Sequence, residues 1–306
     1  MDKLILKELM AKEQVVAPCV WDCMSAKAAE LAGYKALMLS STCLANSMLG
    51  MPDFGLMNVE EVIYAVERIA NSSPLPVILD GEDGYGESTI LVYRNIKRLA
   101  KAGAQAITID DSTGVRGWER FLYDCDRRGV GYDQISFENA NRKVLDKTKW
   151  YQKIKAAVAA CEGTDCMIIA RTHAYLSTGL DESIERCQKA AELGAPITLC
   201  YGIGNLEQGK KVAEALPGWK MWGDDQSKDG VPLVSLEDAY KLGFNLVTNH
   251  CLESGAMWGM MMHGVNNVRN GNTVFSDTHD VSDYYPYPTS VDYKSWIDRE
   301  NEFAKV

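Results

Sequence analysis

Lys101-Ala102-Gly103-Ala104-Gln105-Ala106-Ile107-Thr108-Ile109-Asp110 is the stretch that decides the fold. A helix-like segment ends on a glycine, a short apolar run follows, and an acid closes the run. Glycine just past a helix end takes the left-handed backbone at no steric cost. An apolar run without alternation reads as a parallel strand buried on both faces. The phrase returns as Leu31-Ala32-Gly33 before 36–39, as Glu192-Leu193-Gly194 before 197–199, and as Lys241-Leu242-Gly243 before 245–247. With the gaps filled, eight strands are expected near 15–20, 36–41, 76–80, 105–110, 166–171, 197–201, 220–223 and 245–249. Helical patterns lie between them, among them 59–70, 90–102, 149–160 and 180–193. Eight alternating units predict an α/β fold of the closed (β/α)8, or TIM, barrel type. The alternative is a doubly wound open sheet, which lacks support because no GxGxxG turn follows the first strand.

The 306 residues are therefore read as one barrel domain, 1–306. Residues 1–13 mix Lys, Asp and Glu with Leu4, Leu6 and Leu9, the pattern of an amphipathic opening helix rather than a signal peptide. No apolar run is long enough to span a membrane. The nine cysteines are scattered, with no CxxC pair and no zinc spacing, which predicts reduced, mostly buried thiols in a cytoplasmic protein. A net charge of −10 argues against nucleic-acid binding but not against a small anionic substrate, since a local Arg or metal ion can dominate a site. Two stretches break the β/α rhythm. Residues 112–141 are too long for an ordinary strand-to-helix loop and predict an active-site lid. Residues 291–305 read as a terminal helix beyond a turn-rich segment.

Barrel enzymes carry their sites at the C-terminal ends of the strands. There the sequence has Ser40-Ser41-Thr42, Asp80-Gly81-Glu82, Asp110-Asp111 and Arg171-Thr172-His173. Asp80, Glu82 and Asp110 converge on one rim, and hard cations such as Mg²⁺ take oxygen ligands of this kind. The alternative is that these acids cap the helices that follow. Arg171 ends an apolar run, where its fork suits a substrate carboxylate or phosphate, or else an internal ion pair with one of the acids. His173, His250, His263 and His279 share no spacing and are expected to be structural or on the surface.

Asp80-Gly81-Glu82-Asp83-Gly84-Tyr85-Gly86 resembles the DxDTGYG metal motif of the isocitrate lyase / phosphoenolpyruvate mutase superfamily. Ala17-Pro18-Cys19-Val20-Trp21-Asp22 is similar to that family's first strand and turn, and Leu49-Gly50-Met51-Pro52-Asp53 to its LG-x-PD segment. Ile168-Ile169-Ala170-Arg171-Thr172 resembles its IIART strand, and 179–186, GLDESIER, the helix after it. The likeness runs over about residues 14–265 and is nearest in feel to the methylisocitrate lyase-like branch. It implies that Asp80, Glu82 and Asp110 attend a Mg²⁺ or Mn²⁺ ion, that Asp53 and Arg171 act on the substrate, and that Trp21 and Ser40, Ser41 and Thr42 line it. It also implies a homotetramer in which 291–305 is exchanged between subunits.

The departures concern the reaction. The lyases' K-K/R-C-G-H loop is absent after Asp110, and Cys125 does not match its cysteine by position. Of the mutases' EDKxFPKxNS loop, Arg116 is the residue that could mimic the second lysine. Tyr201 stands where the lyases have Glu, His173 where they often have Asp, and Ser41 and Thr42 replace two glycines. The expected activity is Mg-dependent carbon–carbon cleavage of a small 2-hydroxy or 2-oxo carboxylate through a metal-stabilised enolate, with Arg116 assisting from the lid. The alternatives are mutase- or hydrolase-like carbon–phosphorus chemistry and a non-catalytic carboxylate-binding barrel.

Overall fold

The structure is a computed structural model that describes residues 3–113, 143–223, 234–271 and 293–305. Eight parallel strands close in sequence order: β1 (Val15–Val20), β2 (Leu37–Leu39), β3 (Val77–Leu79), β4 (Ala104–Ile109), β5 (Met167–Thr172), β6 (Ile197–Cys200), β7 (Trp219–Trp222) and β8 (Phe244–Asn249). β8 returns to pair with β1, with Val15 opposite Leu246 and Pro18 opposite Asn249. The barrel is thus the closed form, and the open sheet is excluded. Each predicted strand lies within three residues of an observed one.

The helices run in order α1 (Leu6–Met10), α2 (Cys23–Leu31), α3 (Ser41–Leu44), α4 (Val59–Ser72), α5 (Thr89–Ala102), α6 (Lys147–Cys161), α7 (Leu180–Glu192), α8 (Leu206–Ala215), α9 (Leu236–Lys241), α10 (Cys251–Asn270) and α11 (Tyr293–Phe303). Their ends follow the sequence signals. Asn58 caps α4 in a reciprocal box with Glu61, and Gly103 closes α5 at φ 118°. The opening helix is shorter than residues 1–13 suggest. It acts as a plug, burying Leu6 and Met10 while Leu4 stays exposed.

Two shells of core follow from strand alternation. Ala17 and Cys19, Ala36 and Met38, Ile78, Ala106, Met167 and Ile169, Ile197 and Leu199, Met221 and Leu246 fill the barrel interior together with the plug. The residues between them, such as Leu37, Leu39, Ile107, Ile109, Ile168 and Ala170, pack outward against α2, α4, α5 and α6. Of the eight described cysteines six are buried, Cys23 is half-buried and Cys251 exposed, all as free thiols.

A buried ion pair locks the C-terminal ends of β4 and β5 to α7. Asp111 Oδ2 accepts from Arg186 Nη1 at 3.1 Å and from Thr172 Oγ1 at 2.6 Å, while its Oδ1 accepts from the backbone N–H of His173 at 2.8 Å. Burial pushes the Asp111 carboxyl up to about 6, opposed by these hydrogen bonds and by Arg186. Removing one partner of such a pair leaves an uncompensated buried charge. Arg186→Met is expected to lower the unfolding free energy by about 3–5 kcal/mol in urea denaturation; a loss below about 1 kcal/mol, the range of an exposed pair, would show that the pair does not hold the strand ends.

Candidate active site

The inward register of each strand continues past its end, and this continuation builds the site. Met38 is followed two residues on by Ser40, Ile78 by Asp80, Ile169 by Arg171 and then His173, Leu199 by Tyr201, and Thr248 by His250. These residues line a cavity of about 820 Å³ at the barrel mouth together with Asp53, Glu82, Asp110, Ser112 and Glu253.

The loop after β3 is held from four sides. The Gly81 N–H donates to Thr108 Oγ1 at 3.1 Å, and Thr108 Oγ1 donates in turn to Asp80 Oδ1 at 3.0 Å. Tyr85 Oη donates to the Asp80 carbonyl at 3.2 Å. Asn95 Nδ2 donates to the Tyr85 carbonyl at 2.9 Å, and the buried Lys153 pairs with Asp83 at 2.9 Å. Two non-glycine residues here, Glu82 (φ 50°) and Tyr85 (φ 55°), take the left-handed backbone, a cost carried only where the surroundings over-determine it. The turn turns Glu82 into the barrel mouth, where it is buried beside Asp110 on the cavity wall.

Arg171 Nη1 lies 3.1 Å from Asp80 Oδ2, with its guanidinium 4.5 Å from the centre of the Tyr201 ring. The internal ion pair is thus realised, and the arginine still borders the cavity. Burial alone works to lower the Arg171 pKa, but Asp80, Tyr201, Asp110 and Asp53 together raise it above its usual value. Burial raises the Asp110 carboxyl, Arg171 opposes this, and Asp80 adds to it. His173 Nε2 lies 3.7 Å from Asp110 Oδ2, and its ring packs 4.6 Å from that of Tyr201.

Ser41 and Thr42 bind the protein's own carboxylates. Ser41 Oγ lies 3.1 Å from Asp53 Oδ2 and 3.2 Å from Asp80 Oδ2, its one proton shared between the two carboxylates, and Thr42 Oγ1 donates to Asp53 Oδ2 at 2.9 Å. The two hydroxyls therefore fix the Asp53 loop onto the β2 end. Ser40 caps α3 and lies 3.3 Å from His250 Nε2.

The cavity brings together Asp53, Arg171, Ser40, Ser41, Thr42, Asp80, Glu82 and Asp110. Trp21 is half-buried between the two cores and is not among the lining residues. Arg116, Cys125 and residues 114–141 of the predicted lid lie outside the described residues. The neck of that segment is in view, closed by an antiparallel bridge between Ser112 and Val144. Thr113 N–H donates to the Lys143 carbonyl at 3.1 Å and Leu145 N–H to that of Asp111 at 2.7 Å. Two of the histidines expected to be structural or on the surface, His173 and His250, instead line the cavity. They sit two residues beyond Arg171 and Thr248, which also line the cavity, and that parity is the signal that would have found them.

Among the described lining residues, Asp53, Asp80, Glu82, Asp110 and Glu253 face one guanidinium. Asp80, Glu82 and Asp110 offer only oxygen donors, and the excess of negative charge is of the kind a hard divalent cation balances. Their donor chemistry suits a hard divalent cation. They do not serve as the caps of α5 or α6, whose N-caps are Ser88 and Asp146.

The family model described as phosphoenolpyruvate phosphomutase matches residues 6–249. The chain belongs to that family. Within it, the 2-methylisocitrate lyase of Escherichia coli is 32% identical over 188 residues, 61% of this chain and 57% of that enzyme. The chain thus matches little more than half of that lyase's length. The 2,3-dimethylmalate lyase of Eubacterium barkeri is 29% identical over 243 residues, 79% of this chain and 77% of that enzyme. A solved structure of 2,3-dimethylmalate lyase, described as a member of the PEP mutase/isocitrate lyase superfamily, superposes with a TM-score of 0.81 at 24% identity, covering 97% of this chain and 93% of that one. The superposition shows the same fold.

The packing at Gly81 makes the site testable without turnover. A Cβ there would collide with Ile107 Cγ2 and with the backbone carbonyl of Thr108, neither of which is the free end of a flexible chain. Gly81→Ala is expected to cost about 1–3 kcal/mol of stability by overpacking. Gly255→Ala, in α10 with open space around it, should be neutral or stabilising by up to about 1 kcal/mol. Equal denaturation midpoints for the two variants would show that the β3 loop is not held against β4.

Proposed function

We propose that this protein is a Mg²⁺- or Mn²⁺-dependent lyase that cleaves a carbon–carbon bond in a small 2-hydroxy or 2-oxo carboxylate. The observation that carries the reading is the placement of Arg171 beside Asp80, Glu82 and Asp110 on the wall of one cavity. Bound at the three acids, the cation supplies positive charge for the oxygen on which negative charge develops. The chain's own residues do the rest. Arg171 offers a planar fork to a carboxylate and, in doing so, exchanges its contact with Asp80 for one with substrate. Tyr201 and His173 pack against one another, and Tyr201 stacks on the guanidinium, limiting how far Arg171 swings. Ser41 and Thr42 hold Asp53 at the rim.

For a 2-hydroxy acid the step is a cleavage of one molecule into two. A base takes the hydroxyl proton, the adjacent C–C bond breaks, one fragment leaves as a 2-oxo acid, and the enolate on the other fragment takes up a proton. Among the described lining residues, His173, His250 and the carboxylates are the groups able to move these protons. Arg116 and the rest of 112–141 are proposed to assist the reaction. The relatives' names support the substrate class, and a cytoplasmic location, expected from the scattered thiols, is part of the proposal. Among the described residues no helix is long and apolar enough to cross a membrane.

Release of a 2-oxo acid from a panel of 2-hydroxy and 2-oxo carboxylates, including 2-methylisocitrate and 2,3-dimethylmalate, is the direct test. Turnover should vanish on chelation and return with Mg²⁺ or Mn²⁺. Arg171→Lys, if folded, should lower kcat/KM by about 100-fold, roughly 2.7 kcal/mol of transition-state stabilisation. Full activity of metal-free protein, or turnover of phosphonopyruvate alone, would overturn the carbon–carbon reading.

We also propose a homotetramer. No residue of the twenty-residue α10 is buried, and Met257, Trp258, Met260 and Val268 are exposed along it, as are Trp296 and Phe303 on α11. Faces this apolar are the mark of an interface. Light scattering is expected to give four times the chain mass, and removal of residues 293–306 should reduce the assembly. A full-length monomer would rule the tetramer out.

A further inference from the structure

A second cluster of ligating side chains joins two residues of the cavity wall, His250 and Glu253, to the buried Cys43. Cys43 on α3, His250 at the start of α10 and Glu253 in its first turn bring a sulfur, a ring nitrogen and a carboxylate oxygen within 4.8 Å of one another. Cys43 Sγ already donates to Glu253 Oε2 at 3.2 Å. We propose that these three side chains bind a borderline-soft divalent transition ion of the Zn²⁺ class, with the fourth position open to the cavity.

Ligand chemistry separates this cluster from the acids. Thiolate and imidazole suit Zn²⁺ or Co²⁺, whereas all-oxygen sets suit Mg²⁺ and Mn²⁺. Three protein ligands of mixed N, S and O type with one open position are the pattern of zinc sites that keep a water. Bond lengths of about 2.0–2.3 Å place tetrahedral ligand atoms roughly 3.5 Å apart. The Cys43–Glu253 separation already meets that spacing, and the remaining gaps close with small side-chain movements. On binding, the Cys43 thiol proton leaves to solvent, so thiolate and carboxylate together match the two charges of the ion.

The outer contacts suit a ligand set. Asn46 Nδ2 donates to Glu253 Oε1 at 2.9 Å, leaving Oε2 towards the sulfur. Ser40 Oγ lies 3.3 Å from His250 Nε2 and 3.3 Å from the Cys43 N–H it accepts, so one hydroxyl steadies both the ring and the turn that carries the thiol. Such contacts orient metal ligands and raise affinity. His250 and Glu253 are half-buried and border the cavity, which gives an ion a way in.

The test reads metal binding rather than turnover, so it fails or succeeds independently of the proposed reaction. Full-length protein is dialysed against Zn²⁺ or Co²⁺ in excess Mg²⁺, and bound metal is counted by elemental analysis. One Zn²⁺ per chain is expected, and Co²⁺ should give a thiolate-to-metal charge-transfer band. Cys43→Ser should abolish that band. His250→Ala and Glu253→Gln, the latter on the half-buried edge of the cluster, should each weaken Zn²⁺ binding by about tenfold or more. Asp80→Asn and Cys251→Ser should leave both the stoichiometry and the band intact. Circular dichroism of each variant confirms folding. A band that persists in Cys43→Ser, loss of the band in Cys251→Ser, or no retained Zn²⁺ in the parent protein would overturn the proposal.

Discussion

Strand parity is the constraint on which the site depends. In a closed barrel every second residue must face the interior, and packing there admits only small or well-fitting apolar side chains. The strands satisfy this with Ala17, Cys19, Met38, Ile78, Ala106, Ile169 and Leu199. Once a strand runs out, the same alternation has no further apolar layer to fill and presents the next inward residue to the mouth. Ser40, Asp80, Asp110, Arg171, His173, Tyr201 and His250 are all such residues. The core and the site are therefore one pattern, read at two depths.

Electrostatics then fixes what that ring can hold. A single described guanidinium among five lining carboxylates cannot neutralise them, and it is already committed to Asp80. Hydroxyl donors take up part of the remainder: Ser41 and Thr42 on Asp53, Thr108 on Asp80, and Ser112 on Asp110 at 2.8 Å. One layer out, Asp111 has its own arginine, Arg186, and stays out of the cavity. The adjacent acids Asp110 and Asp111 thus have opposite fates, because successive residues of a strand face opposite sides.

The fold was legible because its signals are local. A glycine after a helix and an apolar run after the glycine are contained within ten residues, and they located β4 and β8 with no knowledge of the rest. The acids and Arg171 were legible because they stand directly at strand ends. His173 and His250 escaped because histidines were compared with one another by spacing along the chain, whereas strand parity is what places them. Cys43, His250 and Glu253 could not be grouped from the sequence at all. Cys43 and Glu253 are 210 positions apart, and β2 and β8 become near neighbours only because both flank β1 when the barrel closes. Trp21 shows the reverse case: its motif marks the end of β1, but the half-buried side chain packs against the two core clusters and does not line the cavity.

The bridge between Ser112 and Val144 has an evolutionary meaning. Because Ser112 and Val144 are bridged, the points at which the chain leaves β4 and returns towards α6 are held to one another. Loop-closure entropy grows only as the logarithm of length, about 0.6 kcal/mol for each doubling. A change in the number of residues between these two positions therefore adds little closure cost, and the bridge keeps β4, β5 and their acids in register. Members of one family can then differ in the residues between those two positions, and the barrel beneath need not change to follow.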